Sequence, residues 1–377
     1  MRFLRTLCEL RVLIPILLLV VFAADLASRT ISRSWYAFRA WEAVENQRDP
    51  GAPFHRNQHS GWEAYGDLAA LGNLPAHRAY RREFFSTDEW GYRTSGEAVA
   101  GFPPGAILTG DSFAVGQTVN DEETLAARLS MLSGLQVYNA GGRTLDLFAL
   151  GTIARRLKLD RGTVIYEYLD RTLVPEPPLP IEAPKPRSRK IRPRKFLEEF
   201  FSFSPLSVVL RRIHRKIEDD RILPNPSRKN VVVARLKDGS SMLFLPDDDN
   251  SPIEREPEQI IRFWRWFAAE LGKNGLDLLL VLVPNKSEVY GPLALDYQPK
   301  NVGHGAGHER VIQALRSEGI LALDLTPILR EKAEAALKKG EILYWPDDTH
   351  WNREGIRLAA EEIYKVWHTA LLRREHR

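Results

Sequence analysis

From residue 106 onward, short apolar runs alternate with segments whose apolar residues recur every three or four positions. That alternation predicts buried parallel strands joined by covering helices. Strands are predicted at 106 to 109, 135 to 139, 163 to 168, 276 to 283 and 320 to 324, with helices near 121 to 133, 144 to 158, 255 to 271 and 306 to 318. Ile260, Trp264, Phe267, Ala268 and Leu271 make one helical stripe, which Gly272 and Gly275 end. A last helix, 354 to 371, repeats the stripe with Ile356, Ala359, Ala360, Ile363, Trp367 and Ala370. The expected class is α/β, a parallel sheet between two helical layers.

Residues 30 to 100 follow no clear period. They hold Trp35, Tyr36, Trp41, Trp62, Tyr65, Tyr80, Phe84, Phe85, Trp90 and Tyr92. This reads as a lead-in of short elements, with a strand at Arg82 to Ser86 and a turn near Asp88. Its aromatics are expected to pack across the sheet edge, a sugar-stacking platform being the alternative. Between 172 and 254 the α/β rhythm breaks again. Pro175, Pro177, Pro178 and Pro180 open a stretch that runs into Lys185, Arg187, Arg189, Lys190, Arg192, Arg194 and Lys195. The basic run reads as a solvated linker, or else as a contact for anionic lipid or an acidic polymer. An apolar, basic helix to about 217 and strand-like runs at 230 to 233 and 242 to 245 follow it. The expected organisation is an N-terminal segment 1–29, a lead-in 30–105, and a catalytic domain 106–377 carrying an insertion at 172–254.

Arg2, Arg5 and Arg11 precede a 13-residue apolar run from Val12 to Ala24. Basic residues before an apolar run predict a single-pass signal anchor in the inner membrane, with the remaining chain facing the periplasm or cell exterior. Cleavage after Val21-Phe22-Ala23, giving a secreted periplasmic protein, is the alternative. Cys8 is the single cysteine and lies before the run, so neither an intramolecular disulfide nor a lipoprotein arrangement is available. With 377 residues, 44% of them hydrophobic, the chain can bury a full core. A net charge of +4, from 53 basic and 49 acidic residues, is too small to suggest a nucleic-acid partner.

Candidate chemistry begins where the first core strand ends, at Gly110-Asp111-Ser112. Open α/β sheets bind ligands at the carboxyl ends of their strands. A serine on a tight turn there can act as nucleophile while its own amide faces an oxyanion, although a helix-capping serine fits the tripeptide too. Gly141, after the second strand, is a candidate second oxyanion donor, or simply a turn glycine. Far downstream, His350 is the candidate general base, with Asp348 or Asp347 as the acid that orients it; a packed or capping histidine is the bland alternative. Lys286 and Tyr290 follow the fourth strand and are candidate substrate contacts, as against core-edge packing. His304 and His308 have no ligand set beside them, so no metal is expected, and the chemistry asks for no cofactor.

Gly110-Asp111-Ser112, Gly141 and the loop to His350 resemble the blocks of the SGNH/GDSL hydrolase superfamily over about 106 to 365. Within it, Asp348-Thr349-His350-Trp351, Val164 to Arg171 and Val283 to Tyr290 resemble the AlgX/AlgJ-type alginate O-acetylation proteins. The resemblance implies an SGNH fold and a periplasmic O-acetyltransferase acting on an exported or cell-envelope polysaccharide through an acyl-serine. It also implies that Asp348, two residues before the histidine, is the triad acid, and that a membrane-bound O-acyltransferase supplies the acyl group. A carbohydrate esterase and a non-catalytic polysaccharide-binding scaffold are the alternatives. Two departures stand out. After the third strand the chain offers Glu167, Asp170 and Arg171 where the superfamily has an asparagine oxyanion donor; Arg171 either serves there, contacting substrate, or pairs with Glu167 or Asp170. The serine block also precedes the histidine block, unlike the order in the alginate proteins.

Overall fold

The computed structural model describes residues 2–28, 41, 44–45, 52–72, 74–142, 147–169, 172, 174, 176, 231–245, 251–299 and 306–375. Helix α1 (Arg2–Ser28) carries the apolar run, with Leu13 to Phe22 exposed wherever they are large and apolar. Its side chains are described only from Leu13 to Ala27. Among the described residues no helix is long and apolar enough to cross a membrane, so the expected anchor is not shown. The basic run of the insertion, His304, Asp170 and Arg171 lie outside the described residues.

The lead-in forms an antiparallel pair, β1 (His59–Ala64) and β2 (Arg81–Ser86), with a short helix α2 (Asp67–Leu71) between them. The turn after β2 is made by Asp88, whose Oδ1 accepts from the amides of Trp90 and Tyr92, both at 2.9 Å. Trp90 and Tyr92 then pack on Tyr138, with ring centroids 5.6 and 5.7 Å away.

The main sheet starts with β3 (Pro104–Thr109), followed by the one-turn helix α3 (Ser112–Val115), α4 (Leu125–Ser133) and β4 (Gln136–Asn139). Next come α5 (Leu147–Arg156) and β5 (Gly162–Leu169). A hairpin, β6 (Val232–Arg235) and β7 (Ser241–Phe244), precedes α6 (Pro252–Arg255) and α7 (Pro257–Gly272). Then β8 (Leu276–Val283), α8 (Lys286–Tyr290), α9 (Ala306–Ser317), β9 (Leu321–Asp324), α10 (Thr326–Leu337) and α11 (Arg353–Glu375) complete the order. Strand order is β4-β3-β5-β8-β9, every neighbour parallel. The chain leaves β3 toward β4 but leaves β5 toward β8, so a crevice opens between the carboxyl ends of β3 and β5.

Period-two alternation divides the core between the two faces. Along β8, Leu279, Val281 and Val283 join the cluster under α4, α10 and α11, while Leu276, Leu278, Leu280 and Leu282 join the one under α5, α7 and α9. The stripe Ile356, Ala359, Ala360, Ile363 and Trp367 on α11 is fully buried, and Trp367 Nε1 donates to Thr163 Oγ1 at 3.1 Å. Burial of Ile356 and of Ile363 contributes on the order of 1.5–3 kcal/mol each. The β6–β7 hairpin also joins this body, because the Leu243 amide donates to the Pro346 carbonyl at 2.8 Å. The last part of the expected insertion is thus built into the core beside the histidine loop.

Candidate active site

Asp111 begins the site by capping α3: its Oδ1 accepts from the Phe113 amide at 2.9 Å. That cap sets Ser112 as the first helical residue, half-buried at the crevice. No acceptor meets the Ser112 amide among the described residues, which leaves it available to a developing oxyanion. Beneath the turn, Glu167 Oε2 accepts from the Asp111 amide at 3.0 Å. Burial, and then the neighbouring Asp111 carboxylate, holds the Glu167 carboxyl well above the usual carboxylate range. Glu167 is therefore a buried prop under the nucleophile turn.

The histidine loop is closed by a short antiparallel contact, Tyr344 opposite Trp351, and by the Trp345 amide donating to the His350 carbonyl at 3.1 Å. Trp351 is buried and meets Phe113 edge-on at 5.2 Å between centroids; Phe113 lies 4.8 Å from the His350 ring. The residue after the nucleophile thus packs directly on the base.

Across this packing, His350 Nδ1 lies 2.6 Å from Asp348 Oδ1. A carboxylate only accepts, so Nδ1 carries the proton and Nε2 the lone pair. Ser112 Oγ lies 2.8 Å from that Nε2 and donates to it. The His350 amide adds a 3.0 Å bond to the same Asp348 oxygen. Asp347 takes no part in this relay. Its Oδ2 accepts from the amides of Gly66 (2.7 Å) and Ala79 (2.9 Å), and its Oδ1 from Arg81 Nη1 (3.0 Å). Asp347 as alternative acid is thus corrected, since both its oxygens face the lead-in.

The lead-in supplies the far side of the acid. Asp348 Oδ2 accepts from the Asp67 amide at 2.8 Å and from Arg81 Nη2 at 3.3 Å. Asp67 in turn accepts from the amide and hydroxyl of Thr349, at 2.8 and 2.6 Å. Gly66 passes so close that a Cβ there would lie 1.9 Å from the Asp347 carbonyl oxygen. A second arginine, Arg93, ties the lead-in to the nucleophile: it bonds Asp121 Oδ1 (2.9 Å) and the carbonyls of Val115 (3.2 Å), Gly116, Val119 (2.7 Å) and Phe84 (2.9 Å). Burial lowers its pKa despite the Asp121 carboxylate. Sequence reading missed Gly66, Asp67, Arg81 and Arg93, and no local pattern marks them.

Two expected substrate contacts face inward instead. Lys286 is 2% exposed and bonds three backbone carbonyls of the histidine loop, at 2.8 Å to Trp345 and 3.0 Å to Pro346 and Asp348. The buried Tyr290 hydroxyl accepts from the Leu343 amide at 2.7 Å. Both hold the loop and neither is open to a ligand. Burial pushes the Tyr290 hydroxyl up to about 12. Gly141 also differs from expectation: its amide donates to Asn139 Oδ1 at 3.1 Å, within its own turn. Its glycine is required all the same, since a Cβ would lie 2.6 Å from the Val115 nitrogen. His308 stands away from this site, 3.6 Å from Asp324 Oδ2. Among the described residues one group could gather a metal, Asp67, Asp348 and His350, each offering an atom within 4.8 Å of the others. Those atoms are engaged in the hydrogen bonds just given, an arrangement that suits proton relay.

Comparison with known proteins agrees with this chemistry. Residues 242–375 match the family model described as SGNH hydrolase-like domain, acetyltransferase AlgX. Over that segment, about a third of its length, the chain is similar to SGNH proteins of AlgX type. The AlgX-type match includes Asp348 and His350, and it supports an acetyltransferase- or esterase-like function. No curated protein matches the chain. A solved structure described as a lipolytic protein of the G-D-S-L family, from Desulfitobacterium hafniense DCB-2, shares 14% identity over 69% of this chain and 98% of its own, with a TM-score of 0.29. So low a score carries no argument, and the fold rests on the strand order itself.

Proposed function

We propose that the protein is an SGNH-type O-acetyltransferase that acts through an acetyl-Ser112 intermediate. The observation that carries this reading is the continuous relay from Ser112 Oγ through His350 to Asp348. His350 Nε2 takes the hydroxyl proton as Oγ bonds to the acyl carbon; the carbon–donor bond then breaks and the leaving group receives that proton. The carboxylate of Asp348 steadies the imidazolium between the two steps. The Ser112 amide stabilises the negative oxygen of each tetrahedral intermediate, and a second donor at Gly141 would have to release Asn139 first. An acceptor hydroxyl next gives its proton to His350 and attacks the acyl carbon; the Oγ–acyl bond then breaks and Oγ takes that proton from His350, freeing Ser112.

The acceptor we propose is a hydroxyl of an exported or cell-envelope polysaccharide, with a membrane-bound O-acyltransferase as donor. The acetyltransferase description of the matched family supports acetyl as the group transferred. An envelope location, with residues 1–29 as signal or anchor, belongs to the same proposal.

The test is to incubate the protein with p-nitrophenyl acetate, with and without candidate polysaccharide fragments. The expected results are an acetylated Ser112 peptide by mass spectrometry and O-acetylated sugar. Ser112→Ala should lower the rate by at least about a thousandfold. Ester hydrolysis without any acetylated sugar would make the protein an esterase; no Ser112 adduct and an unchanged Ser112→Ala rate would overturn acyl-serine chemistry.

A further inference from the structure

Lys286 is a buried cation beneath the histidine loop, and among the described residues it makes no hydrogen bond to Ser112 or to the imidazole. Its ammonium has three N–H groups, and three backbone carbonyls receive them: Trp345, Pro346 and Asp348. These carbonyls belong to the loop that delivers Asp348 and His350. A neutral amine has only two N–H groups and would turn its lone pair toward the third carbonyl oxygen. All three bonds therefore require the charged form. The Phe244 ring, from β7, lies 5.6 Å from Nζ and closes another side of the site.

We propose that Lys286 is a positioning residue whose three-way hold on the carbonyls of Trp345, Pro346 and Asp348 keeps His350 within reach of Ser112. The inference rests on the acyl-serine reading and adds to it a dependence on the charge of Lys286. The charged groups around Nζ are Asp348, Asp67 and Asp347, which favour its charge, and Arg81, which opposes it. Burial is the largest influence, and the pKa falls to about 7. Activity should therefore decline as pH rises through that value.

Stability carries the opposite sign. A lysine whose pKa is lower in the folded than in the unfolded protein makes the fold more stable as pH rises from the folded to the unfolded value. Its contribution to stability thus grows over the window in which activity falls. A lysine that merely supported the structure would not separate the two.

The experiment measures p-nitrophenyl acetate hydrolysis and melting temperature from about pH 6 to about pH 9 for the wild type, Lys286→Arg and Lys286→Met. The wild-type kcat should fall above about pH 7 without a fall in Tm. Lys286→Arg keeps its charge throughout and should remove or displace that fall upward. A folded Lys286→Met protein should lose about 100-fold in kcat with little change in KM, the cost of a small misplacement of the base. Superimposable wild-type and Lys286→Arg profiles, or an unaltered kcat in folded Lys286→Met, would overturn the proposal. Should neither variant fold, a wild-type kcat that is flat or rising above pH 7 overturns it alone. Labelling of Ser112 in the wild type separates these outcomes from failure of the acyl-serine reading.

Discussion

Arg81 Nη2 reaches Asp348 on Oδ2, the oxygen that His350 leaves free. The other arm of the same guanidinium bonds Asp347, and the guanidinium carbon stacks 4.4 Å above the Trp345 ring. One side chain from outside the α/β core thus bonds two buried, adjacent carboxylates and fixes the orientation of the one that holds the base. Arg81→Met should leave both without this partner and destabilise the fold by about 3–5 kcal/mol. Arg81→Lys keeps the charge but loses the fork, so it should rescue stability only in part. Denaturant unfolding, with kcat/KM beside it, checks both.

The two neighbouring aspartates should separate under conservative substitution. Asp348→Asn should keep the loop folded yet lower kcat by about 10⁴-fold, because an amide can present its N–H to Nδ1 and stabilise the wrong tautomer. Asp347→Asn removes half of the Arg81 pairing and acts mainly on stability. Equal losses of kcat in the two variants, measured on folded protein, would contradict the assignment of Asp348 as the acid.

Gly66 lets the lead-in backbone pass close against the histidine loop. Since a Cβ would fall 1.9 Å from a backbone oxygen, Gly66→Ala must push the two segments apart. The expected cost is about 1–3 kcal/mol, together with a longer Ser112–His350 separation and a lower kcat. A crystal structure of the variant with the loop unmoved would refute this.

The pattern of apolar residues carried the main sheet well. Each of the five expected core strands is present within two residues at either end, because continuous Val, Ile and Leu runs permit little else in a sheet covered on both faces. Helix α10 was not anticipated, since Ala333 and Ala336 weaken the contrast between its faces. Strand β1, His-Ser-Gly-Trp-Glu-Ala, has no apolar alternation to read; its partner β2 holds it in place.

For the site, the serine and histidine segments were legible because each carries its chemistry in three or four consecutive residues. Lys286 and Tyr290 were placed correctly at a strand end but turned the wrong way, as position along a strand does not tell whether a side chain faces solvent or a neighbouring loop. Gly66 and Asp67 were invisible for a different reason: their partners lie 281 residues away. Contacts between elements so distant depend on how the finished layers meet.

The sequence separation of 238 between nucleophile and base also has a consequence during biosynthesis. A nascent chain presents the Ser112 turn long before residue 350 exists, so for most of its synthesis the hydroxyl is an ordinary, unreactive alcohol. The acyl-serine chemistry proposed above therefore needs a chain finished past residue 350, because a shorter polypeptide has the hydroxyl but no imidazole to activate it.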